Sequence, residues 1–138
     1  MGTDVSPQAV FETPSLGQVF SSRSLHSRRQ LVIGTWNVKG LTDIKIFCIT
    51  MYMKMYGMDI ICLQETWVPQ AEYYYEGGYK VILSGSDDTQ RSWSGVGFVV
   101  APWCTHRIHG FLQFSDRMAS LKLKVFGGKV GIGYLHAI

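Results

Sequence analysis

Apolar residues fall in short runs between Leu31 and Leu135, separated by clusters of turn-forming residues. The first run, Leu31-Val32-Ile33-Gly34-Thr35-Trp36, reads as a buried strand. Thr42-Asp43 then supplies good N-capping residues, thirteen residues without Gly or Pro follow, and Gly57 stands where a helix commonly ends. The spacing predicts a helix whose buried face carries Ile44, Phe47, Cys48, Met51 and Met55, with Asp43, Thr50 and Lys54 on a narrow polar stripe. Alternation in Ile44-Lys45-Ile46 favours a strand instead, but the span between turn signals exceeds usual strand lengths. The four methionines from Met51 to Met58 read as core filling rather than a metal or cofactor site. Asp59-Ile60-Ile61-Cys62-Leu63-Gln64 is a second continuous apolar run, the pattern of a strand covered on both faces.

Strand, helix and strand at this spacing make a βαβ unit, whose crossover sets the two strands parallel and ends both at one sheet edge. Asn37 and Glu65, just past those strands, are therefore expected to be neighbours at the edge where α/β proteins usually hold ligands. Beyond them the texture is all strand. Tyr79 to Leu83, Val96 to Ala101, about His106 to Phe114, Met118 to Phe126 and Lys129 to Leu135 are the expected elements. Turns are expected over Ser84 to Ser94, at Ser115-Asp116 and at the hairpin signal Gly127-Gly128. Residues 1–29 hold Pro7, Pro14, Ser21-Ser22-Arg23-Ser24 and Arg28-Arg29 without apolar periodicity, and read as a disordered leader before a single domain over 30–138.

Composition adds limits rather than an identity. The 138 residues leave room for one core, and 46% hydrophobic against 17% charged residues favours folding with little polar surface to spare. A net charge of +3 permits an anionic partner but lacks the dense basic clusters of non-specific DNA binders. Cys48, Cys62 and Cys104 are odd in number and form no CxxC pair, which argues against a disulfide framework or zinc site and for a reducing, intracellular compartment. No apolar run is long enough to span a bilayer. Met1-Gly2-Thr3-Asp4-Val5-Ser6 matches the short N-myristoylation pattern, with Gly2 as acceptor.

Glu65 at a sheet edge has the chemistry to hold Mg²⁺, a hard cation often bound by one or two carboxylates; equally, a lone Glu there caps a loop or pairs with a lysine. Asn37 can donate to a phosphate or carboxylate, or simply form a turn near Gly40. Lys39 beside it can contact phosphate or remain solvated, and Trp67 can stack on a base or cap the core. His106 and His109, at i, i+3 on an expected strand, lack a third ligand and read as surface residues. Lys122 and Lys124 share one strand face.

The joint pattern carries more than its parts. Gly34-Thr35-Trp36-Asn37-Val38-Lys39-Gly40-Leu41 followed by Asp59-Ile60-Ile61-Cys62-Leu63-Gln64-Glu65-Thr66 resembles the first two motifs of the endonuclease/exonuclease/phosphatase superfamily, the exonuclease III-like and DNase I-like proteins. Gly78-Tyr79-Lys80-Val81-Ile82-Leu83-Ser84-Gly85, Gly95-Val96-Gly97-Phe98-Val99-Val100 and Asp116-Arg117-Met118 are similar to the endonucleases of RTE-type non-LTR retrotransposons and to craniofacial development protein 2-like proteins. The resemblance covers about residues 31–138 and implies an α/β fold: the N-terminal half of a DNase I-like two-sheet sandwich with outer helices. It implies a DNA endonuclease-like, phosphodiester-hydrolysing domain dependent on Mg²⁺ or Mn²⁺, with Glu65 as metal ligand and Asn37 positioning catalytic groups, acting on DNA and more at home in the nucleus than the cytoplasm. His136 stands where the family has its active-site tyrosine, and the Gly-Asp-x-Asn and Ser-Asp-His motifs do not occur, so the chain is expected to be an inactive fragment. It is also expected to self-associate through an uncovered sheet face, with Ile60 to Leu63, Val96 to Val100 and Leu121 to Val125 left bare. Two other readings stand beside this one: a non-enzymatic remnant or binding protein, and the phosphatase or phospholipase branch of the superfamily.

Overall fold

The apolar run after the leader forms β1 (Ile33–Asn37), and the next forms β2 (Ile60–Gln64). They pair in parallel, with Ile33 opposite Ile60 and Asn37 opposite Gln64. Between them lies α1 (Asp43–Tyr56), capped by the Thr42 hydroxyl, which accepts from the Lys45 amide, and closed by left-handed Gly57. The remaining elements are β3 (Ala71–Tyr75), β4 (Tyr79–Ser84), β5 (Val96–Val100), a 3₁₀ turn at Thr105–Arg107, β6 (Ile108–Ser115), β7 (Met118–Lys124) and β8 (Ile132–Ala137). This computed structural model describes residues 30–85, 93–124 and 132–137, the last stretch as backbone. The expected disordered leader with Gly2, the expected Gly127-Gly128 turn and most of the turn expected over Ser84 to Ser94 lie outside the described residues.

The chain is mixed α/β. One sheet has five strands in the order β1-β2-β5-β4-β3, and a second has three in the order β6-β7-β8. Side chains that alternate along a strand go to opposite faces, so β2 sends Ile61 and Leu63 one way and Ile60 and Cys62 the other. The first pair packs with Trp36, Val81, Leu83 and Val99 beneath Ile46, Ile49 and Met53 of α1. The second pair packs with Ile82, Phe98 and Val100 against Ala119, Leu121 and Leu123 of β7. Helix, large sheet and small sheet thus form three layers around two cores. Each fully buried Ile, Leu, Val or Phe contributes about 1.5–3 kcal/mol. At the far end Asp59, 4% exposed, accepts the Val32 amide at 2.7 Å and the Trp103 indole N–H at 2.9 Å, tying the entry of β1 to the exit of β5.

Four expectations are corrected. The face expected to be bare is covered: Ile60, Val100 and Leu121 are fully buried because β6 and β7 already supply a second layer, so self-association through it loses its basis. The helix faces the other way. Ile46, Ile49, Thr50 and Met53 are buried, whereas Ile44, Phe47, Met51 and Met55 are 73, 54, 43 and 57% exposed. The sequence is apolar on two sides, so periodicity had two answers, and Thr50 hides its hydroxyl by donating to the Phe47 carbonyl at 2.9 Å. The methionines divide accordingly, Met53 and Met58 inside and Met51 and Met55 outside. β3 was not expected. It is an edge strand whose three central residues are exposed, joined to β4 by the Lys80–Glu72 ion pair at 2.7 Å and by Lys80 over the Tyr74 ring. Finally, His106 lies in the 3₁₀ turn rather than on a strand, and only His109 lies on β6, exposed.

Candidate functional site

Parallel pairing ends β1 and β2 side by side, so Asn37 closes one strand and Glu65 follows the other. The Asn37 side-chain amide donates to Glu65 Oε2 at 2.8 Å. Its Oδ1 accepts the Lys39 backbone N–H at 3.2 Å. The two bonds together fix which end of the amide faces the carboxylate, since a flipped amide would set donor to donor at Lys39. Gln64 beside them donates to Thr35 Oγ1 at 2.7 Å.

The loops carrying these groups are laced together. Val38 N–H donates to the Gln64 carbonyl at 3.0 Å, Gly40 to Glu65 at 2.8 Å and Leu41 to Thr66 at 2.8 Å, which zips the loop after β1 to the loop after β2. β5 runs antiparallel to β2, so its entry lies at the same edge. There Thr66 N–H donates to the Gly95 carbonyl at 3.1 Å and Trp67 N–H to Ser94 at 2.8 Å. The β6–β7 turn of the small sheet completes the ring: Gly95 N–H reaches the Asp116 carbonyl at 2.8 Å, and the Ser94 hydroxyl donates to the Asp116 carboxylate. Lys39, Glu65 and Trp67 all hold positive φ, at 47, 54 and 60°, a region L-residues seldom occupy.

Between these loops opens a cleft of about 390 Å³ lined by Asn37, Gln64, Glu65, Trp93, Asp116 and Arg117, among others. Comparison of the chain with protein-family models, curated proteins and solved structures found no match. The chemistry of the cleft must therefore be argued from its own residues. Glu65 is half-buried and has one oxygen committed to Asn37, with no described protein donor on the other. A single hard carboxylate oxygen facing an open cleft suits Mg²⁺ or Mn²⁺, which keeps most of its water. No group of three His, Cys, Asp or Glu side chains forms a metal cage among the described residues. A divalent cation at this edge would have the Glu65 carboxylate as its protein ligand, with water and phosphate completing its shell, and the chemistry of that donor fits Mg²⁺ or Mn²⁺.

The structure brings Asn37 and Glu65 together at one edge, as the βαβ reading expected, with Lys39 and Trp67 two residues further along each loop. Trp67 is 37% exposed and lies against Gly40, where an added Cβ would come within 2.7 Å of its ring. His136 is paired with Ser120 by register, at the end of the small sheet that also bears the Asp116-Arg117 turn. His106 and His109 lie away from the cleft lining, and Lys122 and Lys124 alternate with inward Leu121 and Leu123. Sequence reasoning gave no role to Gln64, Trp93, Ser94, Asp116 or Arg117. The signal for Asp116 and Arg117 was the turn itself, but nothing local says that a hairpin of one sheet ends on the edge of another. Burial pushes the thiols of Cys62 and Cys104 up to about 12, so neither is a nucleophile at neutral pH.

Proposed function

We propose that the Asn37–Glu65 edge is the metal-side half of a phosphodiester-cleaving site of the DNase I-like, retrotransposon endonuclease type, with DNA as the substrate class. The observation that carries this reading is the 2.8 Å bond from the Asn37 amide to Glu65, at the joined ends of two parallel strands and beside Arg117. Asn37 holds the carboxylate in one orientation and keeps a second amide N–H for a phosphate oxygen. Arg117, exposed at the cleft wall, can pair with two oxygens of one phosphate, and Lys39 adds charge at the Asn37 side. A bound divalent ion would neutralise phosphate charge and favour departure of the leaving oxygen.

No histidine lines this cleft among the described residues, and Asp116 is already engaged by Ser94. A base to activate water is therefore missing from the described site, and the 138-residue chain alone is expected to bind metal without cutting DNA. The test is Mn²⁺ titration followed by electron paramagnetic resonance, with plasmid nicking in parallel. Wild type should bind Mn²⁺ at about millimolar concentration. Glu65→Gln should lose that binding, and Asn37→Ala should weaken it about tenfold or more. Equal binding by wild type and Glu65→Gln would overturn the metal assignment, and Mg²⁺-dependent nicking abolished in Glu65→Gln would overturn the inactivity.

A further inference from the structure

We propose that Trp93, braced by Trp67, is a stacking platform for an unpaired base of a single DNA strand laid across the Asn37–Glu65 cleft. This rests on the phosphodiester reading of that cleft and extends it to the kind of strand the cleft accepts. The indole of Trp93 is 64% exposed, yet it is placed by specific contacts. Its ring meets that of Trp67 edge to face, with centroids 4.6 Å apart and planes at 82°. The Trp67 indole N–H donates to the Trp93 backbone carbonyl at 2.9 Å. Trp67 is itself held by its backbone bond to Ser94, by the open side of Gly40 and by a positive φ of 60°. An exposed aromatic fixed in this way loses little freedom when a flat partner settles on it.

Trp93 lines the same cleft as Glu65 and Arg117, so a phosphate held by Arg117 leaves its own or the adjoining base within the aromatic wall. The lining sets Arg117 against the carboxylates of Glu65 and Asp116, so without metal the strand is held by Arg117 at the wall and by stacking rather than by net charge. Stacking on an indole needs a base face, and in a duplex those faces are covered by neighbouring base pairs. Every base has such a face, so the platform selects for unpaired structure and is tolerant of sequence.

The experiment measures anisotropy of a labelled twelve-nucleotide single strand and of the same sequence as a duplex, in EDTA and low salt. The full 138-residue chain, Trp93→Ala and Trp93→Phe are compared, with thermal melts to show that each variant is folded. The single strand should bind more tightly than the duplex. Trp93→Ala should weaken single-strand binding roughly 5- to 150-fold, and Trp93→Phe should restore most of it. Equal affinity for both DNA forms, or a Trp93→Ala effect within twofold, would overturn the proposal. Because these titrations contain no metal, a failed Mn²⁺ experiment would remove the metal reading without touching this comparison.

Discussion

Gly95→Ala puts the lacing of the cleft to its most direct trial. Gly95 has φ of +113°, and a Cβ there would overlap Thr66 Oγ1 and stand 3.2 Å from the Trp67 amide nitrogen. Two costs add. Holding an L-residue in that conformation costs about 1–3 kcal/mol. Overpacking against the fully buried Thr66 side chain costs about 1–3 kcal/mol more. If the strand shifts to relieve the clash, it strains the Thr66-to-Gly95 and Gly95-to-Asp116 bonds, each of which contributes about 0.5–1.5 kcal/mol. The expected loss is about 2–6 kcal/mol, a large share of the stability of a domain this size. Urea unfolding at neutral pH measures it. Thr66→Ala removes the overlapping hydroxyl, which has no hydrogen-bond partner in the fold, so the double variant Gly95→Ala/Thr66→Ala should recover the steric part and keep the conformational part. A Gly95→Ala protein within 1 kcal/mol of wild type would mean that the β5 entry does not press on the Glu65 loop as described. Full rescue by Thr66→Ala would mean that φ carries none of the cost.

Two further outcomes test the packing. Ile49→Ala should cost about 2–5 kcal/mol, while Phe47→Ser should stay within about 1 kcal/mol, and the reverse order in urea unfolding would restore the helix face read from periodicity. Iodoacetamide at pH 8 should modify half-buried Cys48 well before Cys62 and Cys104, as read by mass spectrometry of the native protein. The folded state keeps Cys62 and Cys104 protonated from their ordinary value of 9.0 up to about 12, so their contribution is complete below pH 9 and is lost as pH rises from 9 to 12. Each is worth at most about 4 kcal/mol there, and a Tm unchanged between pH 8 and pH 11 would refute the burial of both thiols.

The βαβ unit was legible because its signals are local: a β-rich run, a cap at Thr42, a stop at Gly57 and a second apolar run of strand length. Parallel pairing follows from chain connectivity, and it alone brought Asn37 beside Glu65. The orientation of α1 was not legible, because Ile46 and Ile49 compete with Ile44 and Phe47 and only the tertiary connections decide between them. β3 escaped notice for a related reason. Its three consecutive tyrosines are on an exposed edge, where alternation of apolar and polar residues is not required. The second layer of the sandwich was hidden because its Ala119, Leu121 and Leu123 look the same in sequence whether they face a missing sheet or one already present.

The same distinction bears on how the cleft is to be understood. A glutamate that merely capped a loop would not need a left-handed backbone. Lys39, Glu65 and Trp67 each carry a conformation costing about 1–2 kcal/mol, and glycine, which would relieve it, occupies none of the three positions. What keeps them there is the set of cross-loop bonds from Val38, Gly40, Leu41, Thr66 and Trp67. The residues at these positions carry a cation, a carboxylate and an indole; the indole joins the lacing by donating to the Trp93 carbonyl, whereas the Glu65 carboxylate meets the Asn37 amide. At Glu65 the cross-loop bonds run through the backbone carbonyl and amide neighbours, so the lacing does not depend on its carboxylate. Strain held at Glu65, whose carboxylate faces the cleft, is what the proposed phosphodiester reading requires of a group kept in place for an entering phosphate and its metal.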